Sequence, residues 1–311
     1  MLDFSTMLTT NLEDNLTTPC IRVMISVDWE GRCLQESNIG AMKRFREDHP
    51  SIPLQHFLNA AYYTKTDADP LTITEAIHSV VAPTDEHGLH IHGWRSLFEA
   101  AGVTPKTLPT FFNQDTPLKS YGDDWGHEVD ISVYSVEELR QTVRYSVETL
   151  VQYGFEHPRS FRAGGWMGGP TVLEAINQEG FLFDCSAVWN SPLEARWGKH
   201  YLYRQTQKLW PHMTTTSQPF SISVPSGKIQ EVPNNGCLAD YMSSEDILAV
   251  FLENLEVFSR SSSSQAVVSI GFHQETAEKF LHVIDAAIPS MRELAKDYEV
   301  DLEFTTNKSL H

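Results

Sequence analysis

The sequence is poor in cationic side chains and in closely spaced cysteines. Its 311 residues include 23 Lys and Arg against 41 Asp and Glu, which gives a formal net charge of −18. Such a chain repels phosphate backbones and anionic lipid headgroups, so we expect neither nucleic acid nor a membrane surface as a partner. The four cysteines form no CxxC pair, which argues against a thiolate zinc site.

Long apolar runs are also missing. No segment approaches the ~18 apolar residues of a membrane-spanning helix. The first 20 residues hold three acidic side chains and no Lys or Arg, unlike a signal peptide, so we expect a cytoplasmic protein. Residues 1–19 are polar and rich in threonine and predict a flexible arm, and we expect one domain over 20–311. The sequence does not indicate which oligomeric state the protein adopts.

Strand and helix patterns alternate along this domain, which predicts a mostly parallel α/β sheet or barrel. The predicted strands are 21–27, 52–58, 88–92, 159–162, 181–185, 221–224, 229–232, 266–271 and 300–304. The predicted helices are 36–48, 71–81, 135–153, 170–179, 243–258 and 275–297. The segments 95–134 and 186–220 have few periodic signals, and we expect loops that act as lids or binding walls. The serine run 261–264 predicts an exposed turn.

The first predicted strand ends in two acids. The apolar run 21–27 is followed by Asp28 and Glu30, which are two residues apart and point to the same side of an extended chain. Buried carboxylates are costly unless they are paired or bind a metal. Ligands bind at this end of the strands in parallel α/β folds. The two acids therefore predict a catalytic or metal-binding pair.

Histidines follow the third predicted strand. His90 and His92 are two residues apart, so both imidazoles can face one ion, and imidazole with carboxylate is a common ligand set for zinc. His87 is out of phase with them and is interpreted as a supporting or surface residue. The segment 123–128 is also rich in acids and histidine, but it lacks a strand and is interpreted as a solvated loop beside the site.

Two further strand ends hold residues suited to catalysis or binding. Arg162 precedes Gly164 and Trp166, so a guanidinium can orient a carboxylate while the glycine admits a close ligand and the indole forms a flat wall. His273 ends another apolar strand and is a candidate general acid. Parallel topology would bring these strand ends to one face of the sheet.

The order DxE, HxH, FRAGxW and a late strand with histidine resembles the polysaccharide deacetylase family, carbohydrate esterase family four. The resemblance covers residues 20–307 and implies a distorted (β/α) barrel of about seven parallel strands. It also implies a divalent metal, usually zinc, and hydrolysis of N- or O-acyl groups on a carbohydrate or small sugar conjugate. By position, it implies that Asp28 is the base, Arg162 its orienting cation and His273 the acid.

The resemblance further assigns the metal and substrate contacts. Glu30 and His90 match metal ligands, and Trp166 matches an aromatic of the substrate groove. The family's second metal histidine lies four residues after the first, where this chain has Trp94, so His92 would take its place. Trp94 and Gly164 are then expected to contact substrate.

Two other functions stay open. One is a metal-independent hydrolase of cyclic imides or ureides on the same fold. The other is a catalytically silent carbohydrate-binding relative that uses tryptophans as stacking platforms, namely Trp94, Trp125, Trp166 and Trp189. The acid, base and orienting arginine together favour an enzyme, and the expected reaction is removal of an N-acetyl group.

Overall fold

The computed structural model describes residues 19–113, 116–260 and 265–310. The predicted arm over 1–19 lies outside these ranges except for its last residue, and the predicted turn over 261–264 lies outside them entirely. Among the described residues, no helix combines the length and the apolar character needed to cross a bilayer. The cysteines, all four within the described ranges, are free thiols.

Eleven strands lie in the described part of the chain. They are β1 Cys20–Asp28, β2 Gln55–Leu58, β3 Glu86–Ile91, β4 Ser120–Tyr121, β5 Asp124–Trp125, β6 Ser160–Ala163, β7 Phe183–Asp184, β8 Phe220–Val224, β9 Gly227–Glu231, β10 Gln265–His273 and β11 Asp301–Thr305. Nine of them form one sheet in the order β10-β1-β2-β3-β6-β7-β9-β8, with β11 also paired to β1. Pairing in this sheet is parallel except between β8 and β9. β4 and β5 form a separate antiparallel hairpin.

Helices connect the strands of this sheet. The described residues form α1 Glu36–Asp48, α2 Pro70–His78, α3 Arg95–Ala100, α4 Val136–Gln152, α5 Pro170–Gln178, α6 Glu194–Trp197, α7 Tyr201–Leu209, α8 Ser244–Ser259 and α9 Ala277–Asp297. All six predicted helices are present. α4 begins with a capping box, in which the Ser135 and Glu138 side chains each bind the other's backbone N–H. The short helices α3, α6 and α7 replace parts of the segments expected to be loops.

The predicted fold class is confirmed. Among the described residues, no continuous ladder of strand pairing closes the curved sheet into a barrel. The segment 234–238 follows β9 and forms two isolated bridges, from Asn234 to Val188 and from Leu238 to Gly271. The Gly236 N–H also donates to the Ser269 carbonyl at 2.9 Å. These contacts join the two ends of the parallel sheet, as a distorted barrel requires.

The alternation of side chains along β1 sets the two faces of the sheet. Ile21, Val23 and Ile25 belong to the large core packed under the helices. Met24 belongs instead to a second apolar cluster with Phe57 and other buried residues of the opposite face. Asp28 continues the even-numbered series, so it lies above this inner cluster at the carboxyl end of the sheet.

Candidate active site

A cavity of about 150 Å³ opens at the carboxyl ends of the parallel strands. Asp28 and His273 are register partners at the ends of β1 and β10, and His90 and Arg162 are register partners on β3 and β6. The strand register therefore brings together the residues that the sequence placed at separate strand ends. The cavity wall includes most of the predicted site, namely Asp28, Glu30, His90, His92, Trp166 and His273.

Asp28 is held by a buried ion pair. Arg162 donates from Nη1 to Asp28 Oδ1 at 2.8 Å and to the Ser26 hydroxyl at 2.8 Å, and both charged side chains are almost fully buried. Its Nε donates to the Cys185 carbonyl at 2.9 Å, and its guanidinium lies 4.4 Å from the centre of the Phe57 ring. These contacts leave Arg162 one orientation, so Asp28 is fixed beside the cavity.

Glu30 is the meeting point of the histidines. The Nε2 atoms of His90 and His92 each lie 3.3 Å from Glu30 Oε1. Burial opposes the negative charge of Glu30, but the surrounding imidazoles outweigh it and hold the pKa of this carboxyl well below its usual value. Asp28 and Glu30 line the same cavity although β1 ends at Asp28, so the expected common projection of the two acids is found.

His127 joins this group, which corrects the interpretation of 123–128 as a solvated loop. Its Nε2 lies 2.5 Å from Glu30 Oε2, and only 12% of its side chain is exposed. Its neighbours Asp124 and Glu128 are buried as well. One donor atom each of Glu30, His92 and His127 lie within 4.8 Å of one another, so the compact donor set includes His127 rather than His90.

The chemistry of this donor set fits a divalent metal. A carbonyl oxygen can only accept, so the Nδ1–H of His92 donates to the His127 carbonyl at 2.6 Å, and that of His90 to the Arg162 carbonyl at 2.8 Å. The Nε2 atom of each ring then faces the Glu30 carboxylate. Such backbone bonds commonly orient metal-binding imidazoles, and two imidazoles with one carboxylate suit zinc.

Two aspects of the site were not found in the sequence. Asp240 accepts from His273 Nδ1 at 3.0 Å, and Glu275 accepts the Glu30 backbone N–H at 3.1 Å. Burial opposes the charge of His273, but Asp240 and Glu30 outweigh it and raise the pKa of this imidazole to about 10. Asp240 follows no apolar strand, so the sequence offered no local signal for it, whereas Glu275 lies two residues after His273 at the end of β10, a spacing that the prediction did not use.

Trp94 occupies a different place from the predicted substrate wall. Its side chain is fully buried and lies outside the cavity wall. The indole N–H donates to the Glu30 carbonyl at 2.8 Å, and the Lys65 ammonium lies 3.3 Å from the ring centre. Trp94 therefore supports the backbone of Glu30 from behind.

Gly164 also differs from its predicted role as a substrate contact. A Cβ atom at this position would lie 2.6 Å from His92 Nδ1, so the missing side chain leaves room for the imidazole. Trp166 does line the cavity, as predicted. Trp125 and Trp189 lie outside the cavity wall, whereas Trp197 of α6 lines it, so the set of tryptophans expected as stacking platforms is only partly assembled.

Comparison with known proteins identifies the fold. No family model and no curated protein matches the sequence. The structure is similar to that of a candidate polysaccharide deacetylase from Mycobacterium smegmatis, with a TM-score of 0.52, 11% identity, and 94% of this chain and 89% of that chain covered. It is equally similar to PuuE allantoinase, with a TM-score of 0.52, 13% identity and coverage of 93% and 88%. The predicted resemblance to the polysaccharide deacetylases is thereby confirmed at the level of the fold.

Proposed function

We propose that this protein is a metal-dependent hydrolase that removes an acyl group from a carbohydrate or sugar conjugate. We propose an N-acetyl group as the acyl group. The observation that supports it most strongly is the convergence on one cavity of three devices: an arginine-paired carboxylate, a carboxylate with two imidazoles, and an aspartate-paired histidine. Amide hydrolysis needs a base for water, polarisation of the carbonyl and an acid for the leaving nitrogen.

Glu30, His92 and His127 would hold the metal, with His90 beside them. A zinc ion bound there would act as a Lewis acid towards the acyl carbonyl and would lower the pKa of water. Asp28 accepts the proton of the attacking water, and the guanidinium of Arg162 holds this carboxylate beside the cavity.

His273 supplies the proton that the leaving amine requires. Its Nδ1–H is bound by Asp240, so Nε2 faces the cavity near Glu30, at 3.6 Å from Oε1. A pKa raised to about 10 keeps the imidazole protonated at neutral pH, which suits an acid. Asp28 and His273 are cross-strand partners, so the base and the acid lie side by side on adjacent strands.

A second candidate is hydrolysis of a cyclic imide or ureide. This alternative is supported by the structural similarity, which is equal for a candidate deacetylase and for an allantoinase. The same base and acid would serve to open a ring amide. Metal analysis separates the metal-independent version from the main proposal: full activity in protein stripped by a chelator would support it.

The proposal is tested by Asp28→Asn, with Asp48→Asn on the exposed end of α1 as the control. The asparagine retains an oxygen for Arg162 but cannot take a proton. We expect acetate release from N-acetylated sugars to fall by about 10²–10⁴-fold, the usual contribution of a general base, while zinc content and circular dichroism stay unchanged. Normal turnover in Asp28→Asn would contradict the role of Asp28, and no hydrolysis by the zinc-loaded native protein would contradict the proposed function.

A further inference from the structure

We propose that the substrate carries an anionic group, a carboxylate or a phosphate, which binds a cationic rim formed by Arg32, Lys119 and Arg196. The inference rests on the proposed function, because it assigns the substrate class of the same cavity. The rim is unexpected in a chain with a net charge of −18. All three cations line the candidate active-site cavity.

The rim cations form no close ion pair in the described part of the chain, although the charges of Glu30 and Glu275 act on the guanidinium of Arg32 from a longer distance. Within the described residues, no carboxylate oxygen lies within 4.0 Å of the charged nitrogens of Arg32, Lys119 or Arg196, whereas Arg22, Arg46 and other cations elsewhere on the protein do have such partners. The Nε atom of Arg32 is buried and makes no hydrogen bond among these residues. The rim therefore has unused capacity to bind an oxyanion.

Aromatic rings position the rim cations without neutralising them. The Lys119 ammonium lies 4.2 Å from the centre of the Phe112 ring. The Arg32 guanidinium lies 5.7 Å from the Tyr121 ring, and that of Arg196 lies 5.3 Å from Trp197. Cation–π contacts of this kind attract the charged head group but leave its hydrogen-bond donors free. The cations are thus held at the cavity with donors available for a ligand.

Three carboxylates of the cavity are engaged elsewhere. Asp28 is paired with Arg162, and Asp240 binds His273. Glu128 accepts the backbone N–H of Lys119 at 2.6 Å, so its contact is with the main chain and not with the ammonium. Glu30 and Glu275 offset part of the charge of Arg32, but Lys119 and Arg196 form no ion pair among the described residues, so a bound anion meets positive charge that is already oriented.

The dimensions of the cavity narrow the substrate class further. A volume of about 150 Å³, walled by α6, α7 and the segment at Phe111, suits a small molecule or one terminal unit better than the middle of a polymer. Rim and cavity together indicate a small N-acylated substrate whose carboxylate or phosphate lies at the cavity mouth.

The test measures binding independently of hydrolysis. Isothermal titration of the zinc-loaded protein would compare three probes of one scaffold: N-acetylmuramic acid, N-acetylglucosamine 6-phosphate and neutral N-acetylglucosamine. We expect at least one anionic probe to bind about tenfold more tightly than the neutral sugar, since hydrogen bonds to charged groups are the strong ones. The two anionic probes distinguish a carboxylate from a phosphate.

Variants assign the preference to the rim. Arg32→Gln, Lys119→Gln and Arg196→Gln should each reduce the anionic preference by about three- to tenfold and leave binding of the neutral sugar unchanged. Arg204→Gln on α7, an exposed arginine outside the cavity wall, is the matched control and should retain the preference. Equal binding of all three probes, failure of both anions to bind, or a preference that survives all three rim substitutions would overturn the proposal. Preferential binding without acetate release would leave the rim established and contradict only the proposed reaction.

Discussion

The buried pair of Asp184 and Glu231 leads to a prediction about stability. These residues are register partners on β7 and β9, and both are fully buried. Asp184 Oδ1 accepts from the Ser186 hydroxyl and Glu231 Oε1 from the Ala187 N–H. The other oxygen of each has no protein donor. Two such carboxylates cannot both be ionised at close range, so the pair must hold a proton.

The retained proton makes the native state lose stability as pH rises. Burial, followed by the charge of Asp184, raises the pKa of Glu231 well above its usual value of 4.5. Between pH 4.5 and the native pKa, the folded protein binds more protons than the unfolded chain, so the free energy of unfolding falls with pH. One proton corresponds to about 1.4 kcal/mol for each pH unit within this range.

Glu231→Gln removes this dependence, and its amide group can bind both Ala187 and Asp184. The amide oxygen accepts the Ala187 N–H, and the NH₂ group donates to Asp184 without a titrating proton. Urea denaturation at pH 5, 6, 7 and 8 should give a flatter curve for the variant and a stability above that of the native protein at pH 7. Glu148→Gln, an exposed substitution on α4, should follow the native curve. Parallel curves for Glu231→Gln and the native protein would refute the shared proton.

Two predictions concern the metal donors. Gly164→Ala places a methyl group against the His92 imidazole, so we expect zinc affinity to fall about 10- to 100-fold in a chelator competition assay. Unchanged zinc affinity would show that the His92 ring is free to move. His127→Ala should lower zinc affinity by at least about tenfold, and His157→Ala, outside the cavity, is the control. If His90→Ala lowers zinc affinity and His127→Ala does not, the metal ligands are those predicted from the sequence, Glu30, His90 and His92.

The strand ends were predictable because one physical rule places them. Apolar runs that end in Asp28, His90, Arg162 and His273 identify buried parallel strands, and parallel strands must present their carboxyl ends on one face. This rule placed Asp28 and His273 at the same end of the sheet without knowledge of any loop, and the structure shows that they are register partners. The fold and the inner half of the site therefore depend on local patterns that a single sequence contains.

The outer half depends on contacts between distant segments. His127 reaches Glu30 because Gly93 and Gly126 approach each other closely; a Cβ on Gly93 would lie 2.9 Å from the Gly126 carbonyl. The short helix α7 buries Leu202, Tyr203 and Thr206 on one face, a helical spacing that the expectation of a loop over 186–220 overlooked. Tertiary packing decides the approach of His127 to Glu30, which periodicity within one segment does not report.

The position of Trp94 shows why the spacing of a motif does not by itself locate the donors of the candidate metal site. The family spacing expects the second metal histidine four residues after His90, at a fixed position along the chain. A metal site is defined by the positions of donor atoms, however, and a distant loop can supply one of them. Here the indole of Trp94 binds the Glu30 carbonyl and lies with its ring centre 5.2 Å from that of His127. The tryptophan thus fills the position expected for an imidazole and supports the imidazole that arrives from another loop. Asp28 escapes this ambiguity because its partner, Arg162, lies on a strand of the same sheet.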